Sequence, residues 1–256
     1  MSEHSDDRRK TIPKHPGQQE VRPLPKRFYI AAVAAPGKTG GFTVELDGRT
    51  AKTPKKTVLL LPTLPLARAV ANEWQAQAVE IDPSRMPLTR LANTAIDGVT
   101  GRDAEVRADI GRYSGSDMLC YRAGHPDVLI GLQTAAWDPV LAWAGHRLGT
   151  TFLTTRGLMP VVQPPQTSAA YGAAIADLDA FRLTALHVMT TLTGSALLSL
   201  SVLDRHLTAT AAWAAAHIDE DWQIAQWGPD AEAQVRREGR WTEMAAAARM
   251  LDLLRE

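Results

Sequence analysis

Cysteine is almost missing from this chain: Cys120 is the only one in 256 residues, and a lone thiol closes no internal disulfide. That suits a reducing compartment, and no group of cysteines and histidines has the spacing of a metal site. Long apolar runs are missing too. A membrane-crossing helix needs roughly 18 apolar residues, whereas the richest stretch, 183–203, is interrupted by Thr, Ser, His and Gly, so stable membrane insertion is not expected. Neither charge is in surplus. The 28 basic side chains are matched by 28 acidic ones, where a nucleic-acid binder shows a basic excess. The first 25 residues lack the apolar centre of a secretion signal, and their acids argue against a mitochondrial presequence, so residues 1–25 read as a disordered tail. What remains is 45% hydrophobic and 22% charged, enough for a globular core without staples.

The order of patterns predicts an α+β fold. Arg27-Phe28-Tyr29-Ile30 reads as the start of a strand, the 36–41 loop holds three glycines, and Phe42-Thr43-Val44-Glu45-Leu46 returns with two-residue alternation, which makes a hairpin. Asp47-Gly48 supplies a tight turn, and short strand-like segments at 49–53 and 57–61 continue a small antiparallel sheet. Helical spacing follows Pro62, with Leu66, Val70 and Trp74 on one face of a segment running to about residue 80. Further helices are expected at about 87–97 and 103–113, and 118–121 reads as a short strand. Beyond it, helices are expected at 126–148, 166–177, 181–203, 209–227 and 230–254, with one more strand at 151–155. The shift in composition places a mixed N-terminal domain at 26–105 and a larger helical bundle at 106–256.

Few residues suggest chemistry. Gly37-Lys38-Thr39 follows a strand, as a phosphate loop does, but the sequence after it returns as a strand instead of opening a helix. A hydrolytic set drawn from Ser195, His187, Asp204 and His206 lacks a nucleophile-elbow pattern, and Ser195 lies in an apolar helical run where packing explains it. Cys120 sits among apolar residues, as a small core side chain does. No catalytic residue, metal or cofactor is expected.

The most unusual local feature is Asp219-Glu220-Asp221-Trp222-Gln223, followed by Gln226-Trp227-Gly228. On a helix Asp219, Trp222, Gln223 and Gln226 share one face, bringing together an acid, an indole and two amides. Indoles bury large area at an interface, and carboxylates select a basic partner. The competing reading puts Trp222 and Trp227 in the core and leaves the acids as a solvated face. Periodicity leaves both open.

Several blocks in a fixed order resemble the family of F-type ATP synthase assembly chaperones specific for the alpha subunit. They include Arg27-Phe28-Tyr29, Leu46-Asp47-Gly48-Arg49, Lys52-Thr53-Pro54, Glu73-Trp74 and the run from Met86 to Ala95. They continue through Tyr113 to Asp117, Leu119 to Arg122, Trp137-Asp138-Pro139, the 157–160 block, Leu192 to Ser195 and the 219–228 block. The resemblance implies a mixed N-terminal domain, a helical C-terminal domain and chaperoning without ATP hydrolysis. It implies a monomer that holds unassembled alpha subunit until the beta subunit replaces it, in the bacterial cytoplasm or, for a eukaryotic source, the mitochondrial matrix. It also directs attention to the stretch Asp219, Glu220 and Asp221, with Trp222, Gln223, Gln226 and Trp227 beside it, as the partner-binding surface. The other classes weighed against it are a general peptide-binding scaffold and a small hydrolase.

Overall fold

A computed structural model describes residues 23–157 and 159–255, so the expected tail at 1–25 falls almost wholly outside the described residues. The fold is α+β. Strands β1 (Ala32–Pro36), β2 (Phe42–Leu46) and β3 (Arg49–Thr50) form an antiparallel meander, and β4 (Leu60–Leu61) pairs with the start of β2. Ala32 lies opposite Leu46, and Pro36 opposite Phe42. The strand expected at 27–30 begins later, because the Asp47 carboxylate accepts from the amides of Ile30 and Ala31. Those residues thus bond to a side chain instead of entering the ladder. The preceding segment pairs elsewhere: Arg27 N donates to Val79 O and Ile81 N to Pro25 O. That pairing also ends the next helix early, since residues 79–81 are drawn alongside the N-terminal segment.

Helix α1 (Leu64–Gln75) is capped by Thr63, whose hydroxyl accepts from Leu66 N, and it stops at Gln75 instead of reaching residue 80. Helix α2 (Pro87–Thr94) passes into one wide π turn at Ala95–Val99, and α3 spans Asp103–Gly115. Residues 118–120 form a 3-10 turn before β5 (Tyr121–Arg122), which pairs in parallel with β6 (Thr155–Arg156). Between those strands runs α4 (Asp127–Leu148), closed by Gly149 in the left-handed region. Helix α5 (Pro165–Ala174) follows.

Two long helices expected from the pattern are each divided. The 181–203 segment becomes α6 (Ala180–Thr193) and α7 (Ala196–Leu203), because Gly194 takes a positive φ of 70° and Ser195 then caps α7 through Leu198 N. The 209–227 segment becomes α8 (Ala209–Ala216) and α9 (Ile218–Trp227), with His217 leaving helical geometry between them. Helix α10 (Ala231–Leu253) starts at Asp230, whose side chain accepts from Ala233 N. Helix α6 packs along α10, and both press on α2. Most of the buried apolar residues form one cluster that includes Leu59, Leu61 and Leu66 as well as Leu186, Met189 and Met250.

Candidate functional site

Helix α9 is where the sequence-derived candidates meet. His217 fixes its start: Nδ1 lies 2.8 Å from Trp213 O, which assigns the proton to that nitrogen, and burial holds the imidazole pKa below its ordinary value. Asp219, Glu220 and Asp221 occupy the first turn, where carboxylates oppose the positive end of the helix dipole. Two of the three acids share a neighbour. Asp219 accepts from Gln133 Nε2 of α4 at 2.7 Å, Asp221 accepts from Arg237 of α10, and Glu220 lies 3.9 Å from the same guanidinium. The hydrogen bond to Asp221 leads the causes that raise the Arg237 pKa. One arginine therefore faces two acids, Asp219 has only a neutral amide, and the turn keeps a negative surplus.

No residue of α9 is fully buried. Trp227 is 74% exposed, which removes it from the core. Trp222 is half-buried, its ring meeting that of Trp227 edge to face at 5.7 Å and 85°. Gln223 and Gln226 are exposed, and Gly228, at φ 85°, ends the helix. Beside α9 a cleft of about 360 Å³ is lined by Ile224, Trp213 and Trp241, with Gln234, Arg237 and Glu238 at its polar side. The surface thus joins carboxylates, amides and an open indole to an aromatic cleft. That set can hold another protein by hydrogen bonding and apolar contact, and its carboxylates favour a basic partner. Gln133, Arg237, Trp213 and Trp241 escaped the sequence reading. They come from α4, α8 and α10, and no spacing along the chain joins them to α9.

The other sequence candidates hold structure. Gly37 N donates to Gly41 O at 2.9 Å, and the chain returns as β2, so this loop is a hairpin. Ser195 is fully buried; its hydroxyl donates to Asp117 at 2.8 Å and accepts from Leu198 N, whereas His187 pairs with Asp109 at 2.7 Å. Ser195 and His187 are therefore engaged with different acids. Burial, with a smaller push from Asp117, drives the Cys120 thiol up to about 12, leaving it protonated and unreactive at neutral pH. Among the described residues no three His, Cys, Asp or Glu side chains are grouped to hold a metal, and no helix is long and apolar enough to cross a membrane.

The family described as ATP12 chaperone protein matches residues 26–145. The crystal structure of the Atu1473 protein from Agrobacterium tumefaciens is 43% identical, covers 94% of this chain and 93% of its own, and superposes with a TM-score of 0.88. Atp12 from Paracoccus denitrificans is 41% identical over 90% of this chain and 99% of its own, with a TM-score of 0.86. An Asp-to-Lys mutant of the P. denitrificans protein, also 41% identical, covers 90% of this chain and 98% of its own with a TM-score of 0.85. With that identity sustained along nearly the whole length, the chain belongs to the ATP12 chaperone family.

Proposed function

We propose that this chain is an assembly chaperone for the F-type proton-transporting ATP synthase, binding the unassembled alpha subunit and keeping it from aggregating until beta takes its place. It works as a monomer, without hydrolysing ATP, in the cytoplasm of a bacterial source or the mitochondrial matrix of a eukaryotic one. Family membership supports the chaperone class, and the observation that carries the site is α9 itself: a helix with no fully buried residue that presents acids and an open indole. An orphan subunit exposes surface destined for its neighbours, and such surface drives self-association until it is covered. A contact of roughly 1,200–2,000 Å² covers it and still releases, because area alone does not set affinity and a partly polar contact exchanges readily. Beta then displaces the chaperone by making a larger permanent contact.

The test warms purified alpha subunit with the chaperone and follows light scattering. Scattering should fall relative to an inert protein, and equal scattering in both tubes would remove the assignment. The triple variant Asp219→Lys, Glu220→Lys, Asp221→Lys should keep its circular dichroism and bind alpha at least about tenfold more weakly, a typical cost of reversing charges in a recognition surface. Unchanged capture would place the contact elsewhere.

A further inference from the structure

A second polar site lies beside α4, next to Gln133, whose Oε1 accepts from Ala123 N at 2.8 Å. Its origin is the short parallel ladder of β5 and β6, which sets Arg122 opposite Arg156. Like charges on directly opposed residues repel, and here one of the two has left water: Arg122 is 6% exposed. The backbone holds it in place, since Gly157 N donates to Arg122 O at 2.9 Å. Its guanidinium stacks 5.0 Å over the Trp137 ring and donates through Nη2 to Asp138 at 2.7 Å, while Nε and Nη1 have no hydrogen-bond partner. A guanidinium carries five N–H donors, so a buried one with so few acceptors is short of negative charge. Burial lowers the Arg122 pKa and Arg156 pushes it the same way, against the opposing pull of Asp138.

The two arginines meet in a cleft of about 280 Å³ whose remaining lining is Thr134, Asp138, Thr154 and Thr155. Among the described residues Asp138 is the one carboxylate paired with either arginine, leaving two cations against one anion. Thr134, Thr154 and Thr155 line the same cleft, and each hydroxyl is able to donate a hydrogen bond. We infer that this cleft is an oxyanion-binding site, in which a carboxylate or phosphate group bridges Arg122 and Arg156 and takes hydrogen bonds from the threonines. The bridging anion would relieve the repulsion between the opposed strands, and the cleft's size admits one such group and not a large ligand. Two sources supply that chemistry: a free phosphate, or the acidic side chain of a bound protein segment. The site uses none of the three acids of α9, and Gln133 lies between the two, bonded to Asp219 and to Ala123 N; the test uses no alpha subunit.

The experiment follows the arginine Nε–H resonances of the full chain by NMR while inorganic phosphate is added, with chloride at matched ionic strength as control. Phosphate should shift the Arg122 signal saturably. Arg156→Gln, an exposed change that leaves the core alone, should weaken that binding about tenfold, the order expected for one charge-assisted contact. Thr155→Val should weaken it less. A short glutamate-rich peptide added next, against its glutamine counterpart, decides the source. Competition by the glutamate peptide alone assigns the site to a protein carboxylate, and failure to compete assigns it to free phosphate. An equal shift with chloride, or unchanged affinity in Arg156→Gln, would overturn the inference.

Discussion

Asp117 is fully buried, and its carboxylate accepts from Ser195 Oγ, Leu119 N and Leu197 N, joining the turn before β5 to the start of α7. Burial outweighs those donors and raises its pKa from 3.8 to about 6. Between those values the folded protein keeps a proton that the unfolded chain releases. The contribution of this residue to stability is therefore greatest below 3.8 and declines as pH rises through about 6, opposite to a salt-bridged carboxylate. The full decline corresponds to roughly 3 kcal/mol. Urea unfolding of the wild type and of Asp117→Asn at pH 4 and pH 7 should show the wild type losing stability relative to the variant by up to that amount. A difference that stays flat with pH would mean Asp117 titrates at an ordinary value.

At the scale of elements, the junctions depend on side chains lent by neighbours. Helix α2 begins at Met86, which makes no side-chain cap, and Glu73 of α1 supplies it instead: its carboxylate accepts from Leu88 N at 2.8 Å, Thr89 N at 2.7 Å and the Thr89 hydroxyl. Glu73→Ala leaves those donors on the buried residues Leu88 and Thr89 without a partner, at an expected cost of about 2–3 kcal/mol. The urea midpoint should fall with its slope unchanged, and a loss under 0.5 kcal/mol, about the scatter of neutral surface changes, would show that water replaces the carboxylate. The same dependence explains the divided helices. The sequence reads 181–203 as one helix, and the chain turns at Gly194 because that residue adopts a positive φ while Ser195 and Asp117 cap the new helix. Helices α8 and α9 part at His217, which is held by Trp213 O.

For the molecule as a whole, the first and last parts of the chain share a core. Thr63 Oγ1 donates to Leu253 O at 2.6 Å, Arg90 of α2 pairs with Glu243 of α10, and a single apolar cluster spans residues on both sides of position 105. Cooperative units follow shared burial, so heating should give one transition, with tryptophan fluorescence and far-ultraviolet circular dichroism changing together. Two separated transitions would mark residues 26–105 as an independent unit, as the change in composition suggests.

The sequence by itself determined the α+β class, the hairpin through 36–41, the succession of helices and the segment that became α9, because turn residues and apolar spacing act over a few neighbours. It also showed that Asp219, Trp222, Gln223 and Gln226 share one helical face. Only tertiary structure decided whether that face is buried or open, and it left Trp227 in solvent. Tertiary structure alone brought Gln133 and Arg237 to the acids, and set Arg122 beside Arg156, 34 positions apart in sequence. The reason is range: periodicity records which way a side chain points from its own axis, whereas burial and electrostatic pairing depend on what another element places opposite it.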